Sequence, residues 1–179
     1  MTPRNDITIR LAGILDAANL AVLQQQVWIA TYATEGIRDE YSTYVLATFT
    51  PDTMRESMLN PDIRTFIAEV DGHVIGCVVI DLQPDAPIEG IAGAEIDVLY
   101  VLERFIGQGV GHALLNYALS ECKAKGYDAV WLTVFHENER ALRFYQAHHF
   151  HDIGHTFFEM DGNQYENRIM LRAIESPLR

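Results

Sequence analysis

Cysteine is scarce in this chain of 179 residues: Cys77 stands in a strand-like run and Cys122 in a helix-like one, and there is no third. An isolated pair in such settings reads as reduced and buried, so neither a disulfide framework nor redox chemistry is implied. Long apolar runs are missing as well. No stretch reaches the roughly 18 consecutive apolar residues of a membrane span. The opening Met-Thr-Pro-Arg-Asn-Asp is not a signal peptide. The expectation is a cytoplasmic protein with no membrane partner. Basic residues are few: 13 Lys and Arg against 25 Asp and Glu leave a net charge of −12. That deficit argues against a nucleic-acid partner, whose phosphates need a basic patch, and is compatible with a cationic substrate. Metal-site spacing is lacking too. His148, His149, His151 and His155 crowd one segment without a His-Glu-x-x-His pattern or a nearby Cys, so no metal is expected.

With 49% hydrophobic residues the chain can build one sizeable core, and no repeat or linker interrupts it. A single domain over residues 1–179 is expected. Ile7 to Leu11 reads as a strand and Asp16 to Ala33 as a helix with Leu20, Leu23, Val27 and Ile29 available to the core. Thr50-Pro51-Asp52 is a helix-start signal, and Asn60-Pro61 ends that helix. Thr65 to Val70 and His73 to Asp81 form a hairpin around Asp71-Gly72. After a loop over Gln83 to Gly93 comes a strand at Ala94 to Val101, and after the helix that follows it another at Ala129 to Val134. The last strands are His155 to Met160 and Arg168 to Ala173, joined around Asp161-Gly162-Asn163. Such a mixture suits an α/β (α+β) fold with one largely antiparallel sheet and helices on both faces.

The most informative segment is Arg104-Phe105-Ile106-Gly107-Gln108-Gly109-Val110-Gly111-His112. Three glycines at every second position lie between a strand and an amphipathic helix. Without a Cβ they can take positive φ and let backbone N–H groups at the helix start approach an anion, so this is a phosphate loop. Further on, Asn138-Glu139-Arg140-Ala141 leads through Leu142-Arg143 to Phe144-Tyr145 on a short helix.

Joined at this separation, the two motifs closely resemble the Gcn5-related N-acetyltransferase superfamily over about Ile7 to Ile174. Ile106 stands where the longer form of the family loop carries Gln or Arg, and Arg104 is the cation at hand. The resemblance implies a sheet splayed between its fourth and fifth strands, with acetyl-CoA as acyl donor in the opening. It implies contacts of that group with Leu99, Tyr100 and Val101, with the loop at Ile106, Gly107, Gln108, Gly109, Val110, Gly111 and His112, and with Asn138, which can equally cap its helix. The N–H at Val101 or its neighbour would face charge developing on the carbonyl oxygen.

Within the superfamily the chain is most similar to the bacterial spermidine/spermine N-acetyltransferase-like subgroup, through Ile96 to Leu102, Gly154 to Phe157 and Arg168 to Met170. His149 replaces a family Gly. A small-molecule amine, polyamines included, is the implied partner, and a homodimer is compatible with the family. Amines are protonated at neutral pH, so direct attack on a thioester needs a base. Glu95 matches the family's base position, and Asp97 shares its strand face. Tyr145 matches the usual donor to the departing thiolate. Glu35, Asp39 and Glu40 form an acidic patch suited to distal ammonium groups, or simply a solvated face.

Two other classes are weighed. A dinucleotide-binding oxidoreductase would also use glycines, but the Gly-x-Gly-x-Gly spacing, the position after residue 100 and the lack of a ribose-binding acid after Val134 count against it. A non-catalytic acyl-CoA-binding module would need neither Glu95 nor Tyr145. The identity of the acceptor stays open at this level.

Overall fold

The computed structural model describes residues 6–174. Residues 1–5, on which the signal-peptide expectation mostly falls, lie outside them. Seven strands run in the order β1-β2-β3-β4-β5-β7-β6 in one mixed, mostly antiparallel sheet with flanking helices. They are β1 Thr8–Leu11, β2 Ile63–Val70, β3 His73–Asp81, β4 Ala94–Val101, β5 Ala129–Phe135, β6 His151–Met160 and β7 Asn163–Ala173. The helices are α1 Ala17–Tyr32, α2 Asp39–Thr48, α3 Pro51–Leu59, α4 Val110–Ala124 and α5 Glu139–Ala147. Internal contacts divide the chain into two compact units. One holds the described residues through Ile80 with Val98–Ala118, the other Asp81–Asp97 with the described residues from Leu119 onward.

In the first unit Leu20 and Leu23 of α1 pack with Ile67 of β2 and Cys77 of β3, joined by Val27, Met54, Met58, Val98 and Tyr100. Neighbouring residues point the other way. A Cβ on Gly76 would lie 2.8 Å from Tyr100 O and 3.1 Å from the Leu114 side chain, so a hydrogen there is what lets α4 and the end of β4 close over β3. Both faces of these strands are therefore covered. Thr50 caps α3, its Oγ1 accepting from Thr53 N at 3.1 Å with Pro51 in the first turn. The Asp71-Gly72 turn has φ of 51° and 75° at its two residues, the geometry that twists a hairpin correctly.

In the second unit β4 pairs with β5 in parallel at Ala94↔Val130 and Glu95↔Trp131. The paired register ends there, although β4 runs on through Asp97 and β5 to Phe135. β7 pairs with β5 from Ala129↔Ala173 to Phe135↔Asn167, and β6 with β7 from His151↔Leu171 to Met160↔Asn163. Both last strands are longer than the sequence predicts. Their outer ends, His-Asp-Ile-Gly and Asn-Gln-Tyr-Glu-Asn, are too polar to announce a strand and are held by their ladder partners. Among the described residues no helix is long and apolar enough to cross a membrane.

Candidate active site

The glycine loop expected to bind phosphate belongs to the first unit. After a single turn of 3-10 helix over Glu103–Phe105, Gly107 and Gly109 take φ of 78° and 87°, and α4 begins at Val110. Gly111 is already helical. Ala113 N–H donates to Gly109 O at 2.9 Å as the helix closes its first turn. Ile106 N–H donates to Glu103 O and Gln108 N–H to Phe105 O, so these two amides are spent inside the loop. The amides of Gly107, Gly109, Val110 and Gly111 make no hydrogen bond among the described residues. They form an N–H-lined helix start of the kind that receives an anion such as the pyrophosphate of acetyl-CoA. His112 is turned to Asn116, Nε2 to Nδ2 2.8 Å. Arg104 is exposed and its carbonyl accepts from Gln108 Nε2.

At the end of β4, Leu102 N–H donates to Ile75 O at 3.0 Å. Val101 immediately precedes this engaged amide. The Cys77 thiol, fully buried, is pushed up to about 12 and stays protonated, consistent with a reduced, inert cysteine.

The carboxylates belong to the second unit. Ala94 and Ile96 are buried, and Glu95 and Asp97 occupy the alternate positions of β4. The Glu95 carboxyl is pushed up to about 8, first by burial and then by the charges of Asp97 and Asp81. Asp97 is raised too, by burial and by Asp81. Its side chain keeps accessible surface while protein packs closely around it, so its desolvation is partial, and the repulsion of Asp81 works in the same direction. None of the three makes an ion pair among the described residues. Asp81 escapes sequence reasoning because no spacing ties the end of β3 to Glu95 across the Gln83 to Gly93 loop. Among the described residues no group of three His, Cys, Asp or Glu side chains is placed to hold a metal ion.

Asn138 and Tyr145 also lie in this unit. Asn138 caps α5, Oδ1 accepting from Ala141 N at 3.2 Å, and the bond fixes the side chain while its Nδ2 makes none among the described residues. Tyr145 is the buried residue of α5, its ring edge-on to Phe144 and Phe150 at 5.3 and 5.5 Å. Burial raises its phenol well above the ordinary value, and the hydroxyl has no hydrogen-bond partner among the described residues. His149, where the family has Gly, adopts φ 65° in the turn after α5, so the backbone asked of a glycine is kept by a histidine.

The amino-terminal acidic patch is smaller than the sequence suggests. Glu40 is buried and ion-paired with Arg38, whose guanidinium lies 4.6 Å from the Tyr41 ring centroid. Asp39 and Glu35 remain exposed. Trp28 gathers Tyr32, Tyr41 and Tyr44 at 4.5 to 5.7 Å, so this region is an aromatic core with a thin acidic rim.

Residues 30–150 match the family model described as the acetyltransferase (GNAT) family. The chain is 20% identical over 161 residues to the uncharacterized N-acetyltransferase in the pepI 3′ region of Lactobacillus delbrueckii subsp. lactis, covering 89% of this chain and 92% of that one. Its fold is similar to that of the PaiA N-acetyltransferase from Thermoplasma acidophilum in complex with coenzyme A, with a TM-score of 0.73, 23% identity and coverage of 94% and 99%. It is also similar to YncA of Salmonella typhimurium with acetyl-CoA, with a TM-score of 0.67, 17% identity and coverage of 96% and 95%. The chain belongs to the acetyltransferase (GNAT) family, and is an acyltransferase enzyme with acetyl-CoA as its donor.

Proposed function

We propose that the whole chain, residues 1–179, acts as one domain that acetylates a primary amine by direct attack, with polyamines as the preferred acceptors. The observation that carries the acceptor class is the meeting of Asp81, Glu95 and Asp97 without a cation from the described protein. Carboxylates that act on one another's charge in this way repel, and an ammonium-bearing ligand relieves that repulsion.

Acetyl-CoA, when bound, supplies the thioester from which the acetyl group leaves. The free amides of Gly107, Gly109, Val110 and Gly111 hold its pyrophosphate, with Ile106, Gln108 and His112 shaping the loop. Leu99, Tyr100 and Val101 bind along the end of β4, and Asn138 Nδ2 donates to an amide carbonyl of the donor. Glu95 takes the proton that the attacking nitrogen loses, and a carboxyl near 8 is matched to that task at mildly basic pH. Tyr145 holds its proton firmly until the C–S bond breaks and then gives it to sulfur.

The test is a panel of polyamines, matched monoamines, amino acids and peptides with free amino termini, scored by CoA release and by the mass of the product. Polyamines should give the highest kcat/KM. Acetyl-CoA binding without turnover on any amine would overturn the reading in favour of a non-catalytic binding module.

A further inference from the structure

A second group on the sheet is left unsatisfied among the described residues. Asn167 of β7 has its Oδ1 buried without a hydrogen-bond partner among the described residues, a costly state for a carbonyl oxygen. Its position is defined by the ladder: Asn167 lies between Phe135 of β5 and Thr156 of β6. Alternation along β5 puts Phe135, Thr133 and Trp131 on one face, and Trp131 is the lateral neighbour of Glu95. Asn167 and Glu95 therefore share a face of the second unit. Four residues along β5 and two strand spacings separate them, about 16 Å between Cα positions. Only a long ligand spans that.

The surroundings of the orphan oxygen define what it would accept. Tyr165 shares its face two residues away, with the Phe135 ring centroid 6.4 Å and the Phe158 ring centroid 6.5 Å from its own. Aromatic rings on the same sheet face as a lone carbonyl oxygen suit a cationic N–H donor: the rings attract the charge and the oxygen accepts the hydrogen bond. We propose that Asn167 is a specificity-determining residue that accepts a hydrogen bond from a distal ammonium of the acceptor, so that the enzyme measures the length of a diamine or polyamine. This rests on the amine-acetylating reading above.

The experiment compares kcat/KM for a series of α,ω-diamines of increasing length with matched monoamines, in wild type, Asn167→Leu and Asn167→Asp. Wild-type efficiency should rise with diamine length and stay flat for monoamines. Asn167→Leu should abolish the rise, lowering the long diamines roughly 10- to 100-fold, the worth of a hydrogen bond to a charged group, with monoamines within about twofold of wild type. Asn167→Asp keeps an acceptor and should keep the rise. The melting temperature of Asn167→Leu should equal or exceed that of wild type, because an unpaired buried acceptor is gone. Asn167→Ala adds no bulk and carries the same expectation should the leucine variant not fold. A length preference that survives in Asn167→Leu or Asn167→Ala, as it would if only water met the oxygen, overturns the proposal. So does an equal loss on monoamines and diamines. Wild type inactive on every amine would instead sink the amine-acetylating reading, and this inference with it.

Discussion

At the scale of the residue, Glu95 joins catalysis to stability. Its carboxyl ionises near 8 in the fold and near the ordinary 4.5 when unfolded, so the folded state holds this proton more tightly. The associated stability is present below 4.5 and is lost as pH rises through about 8. Glu95→Gln never ionises and should melt above wild type at pH 9 by about 2–4 °C, with partial exposure of the side chain holding the effect near 1 kcal/mol. The gap should close toward pH 4; a gap independent of pH would refute the assignment. In activity, wild-type kcat/KM should climb through about pH 8, whereas Glu95→Gln should fall by roughly 10²- to 10⁴-fold at neutral pH and recover partly near the amine's own pKa. Tyr145→Phe keeps the ring against Phe144 and Phe150. Its kcat should drop on the order of 10²-fold with acetyl-CoA affinity nearly unchanged, and wild-type turnover would reduce Tyr145 to a packing residue.

At the scale of the element, the loop before α4 carries the sharpest expectation. Gly109 sits at φ 87° with nothing within 4 Å of where a Cβ would stand, so a side chain there meets backbone strain and the incoming ligand, not the core. Gly109→Val should fold yet lose at least about tenfold in acetyl-CoA affinity by calorimetry, with strain of about 1–2 kcal/mol in the free protein. Gly126, at φ 86° with equally open space, is the matched control at the other end of α4. Gly126→Val should share the strain and bind acetyl-CoA as wild type does. Equal affinities in both variants would place the pyrophosphate elsewhere. Elements were legible in sequence where a local rule forces them. Asp71-Gly72 and Asp161-Gly162 each supply two positive φ values in a hairpin, and Thr50-Pro51 starts a helix. The extent of β6 and β7 was not, because their polar ends become strands only through pairing.

At the scale of the whole molecule, the charge of −12 frames how a cationic acceptor arrives. A polyamine should outcompete a monoamine of similar reach at low salt, since several carboxylates attract it at once. The screening length shrinks from about 10 Å at 0.1 M to about 3 Å at 1 M salt, so the part of that preference owed to exposed carboxylates should decline across this range. A preference untouched by salt would assign the discrimination to buried contacts such as Asn167 alone. Equal efficiency at low salt would remove the polyamine assignment and leave a generic amine acetyltransferase.

The sequence by itself determined the glycine loop and the family, because each is written in contiguous residues, Gly107 to Gly111 and Asn138 through Tyr145, and most of the element order, α2 at Asp39–Thr48 being the helix it did not announce. It also placed Glu95 and Asp97 on one strand face by simple alternation. Tertiary structure alone decided what those side chains meet. The charge of Asp81 acts on Glu95 and Asp97, Arg38 takes Glu40 out of the acidic patch, and Asn167 is left with a buried oxygen unpaired among the described residues. The loop likewise spends the amides of Ile106 and Gln108 on itself and keeps those of Gly107, Gly109, Val110 and Gly111 without a partner among the described residues. The physical reason is the same throughout. Ionisation, desolvation and hydrogen-bond satisfaction depend on neighbours brought together by folding, and local patterning carries no record of them.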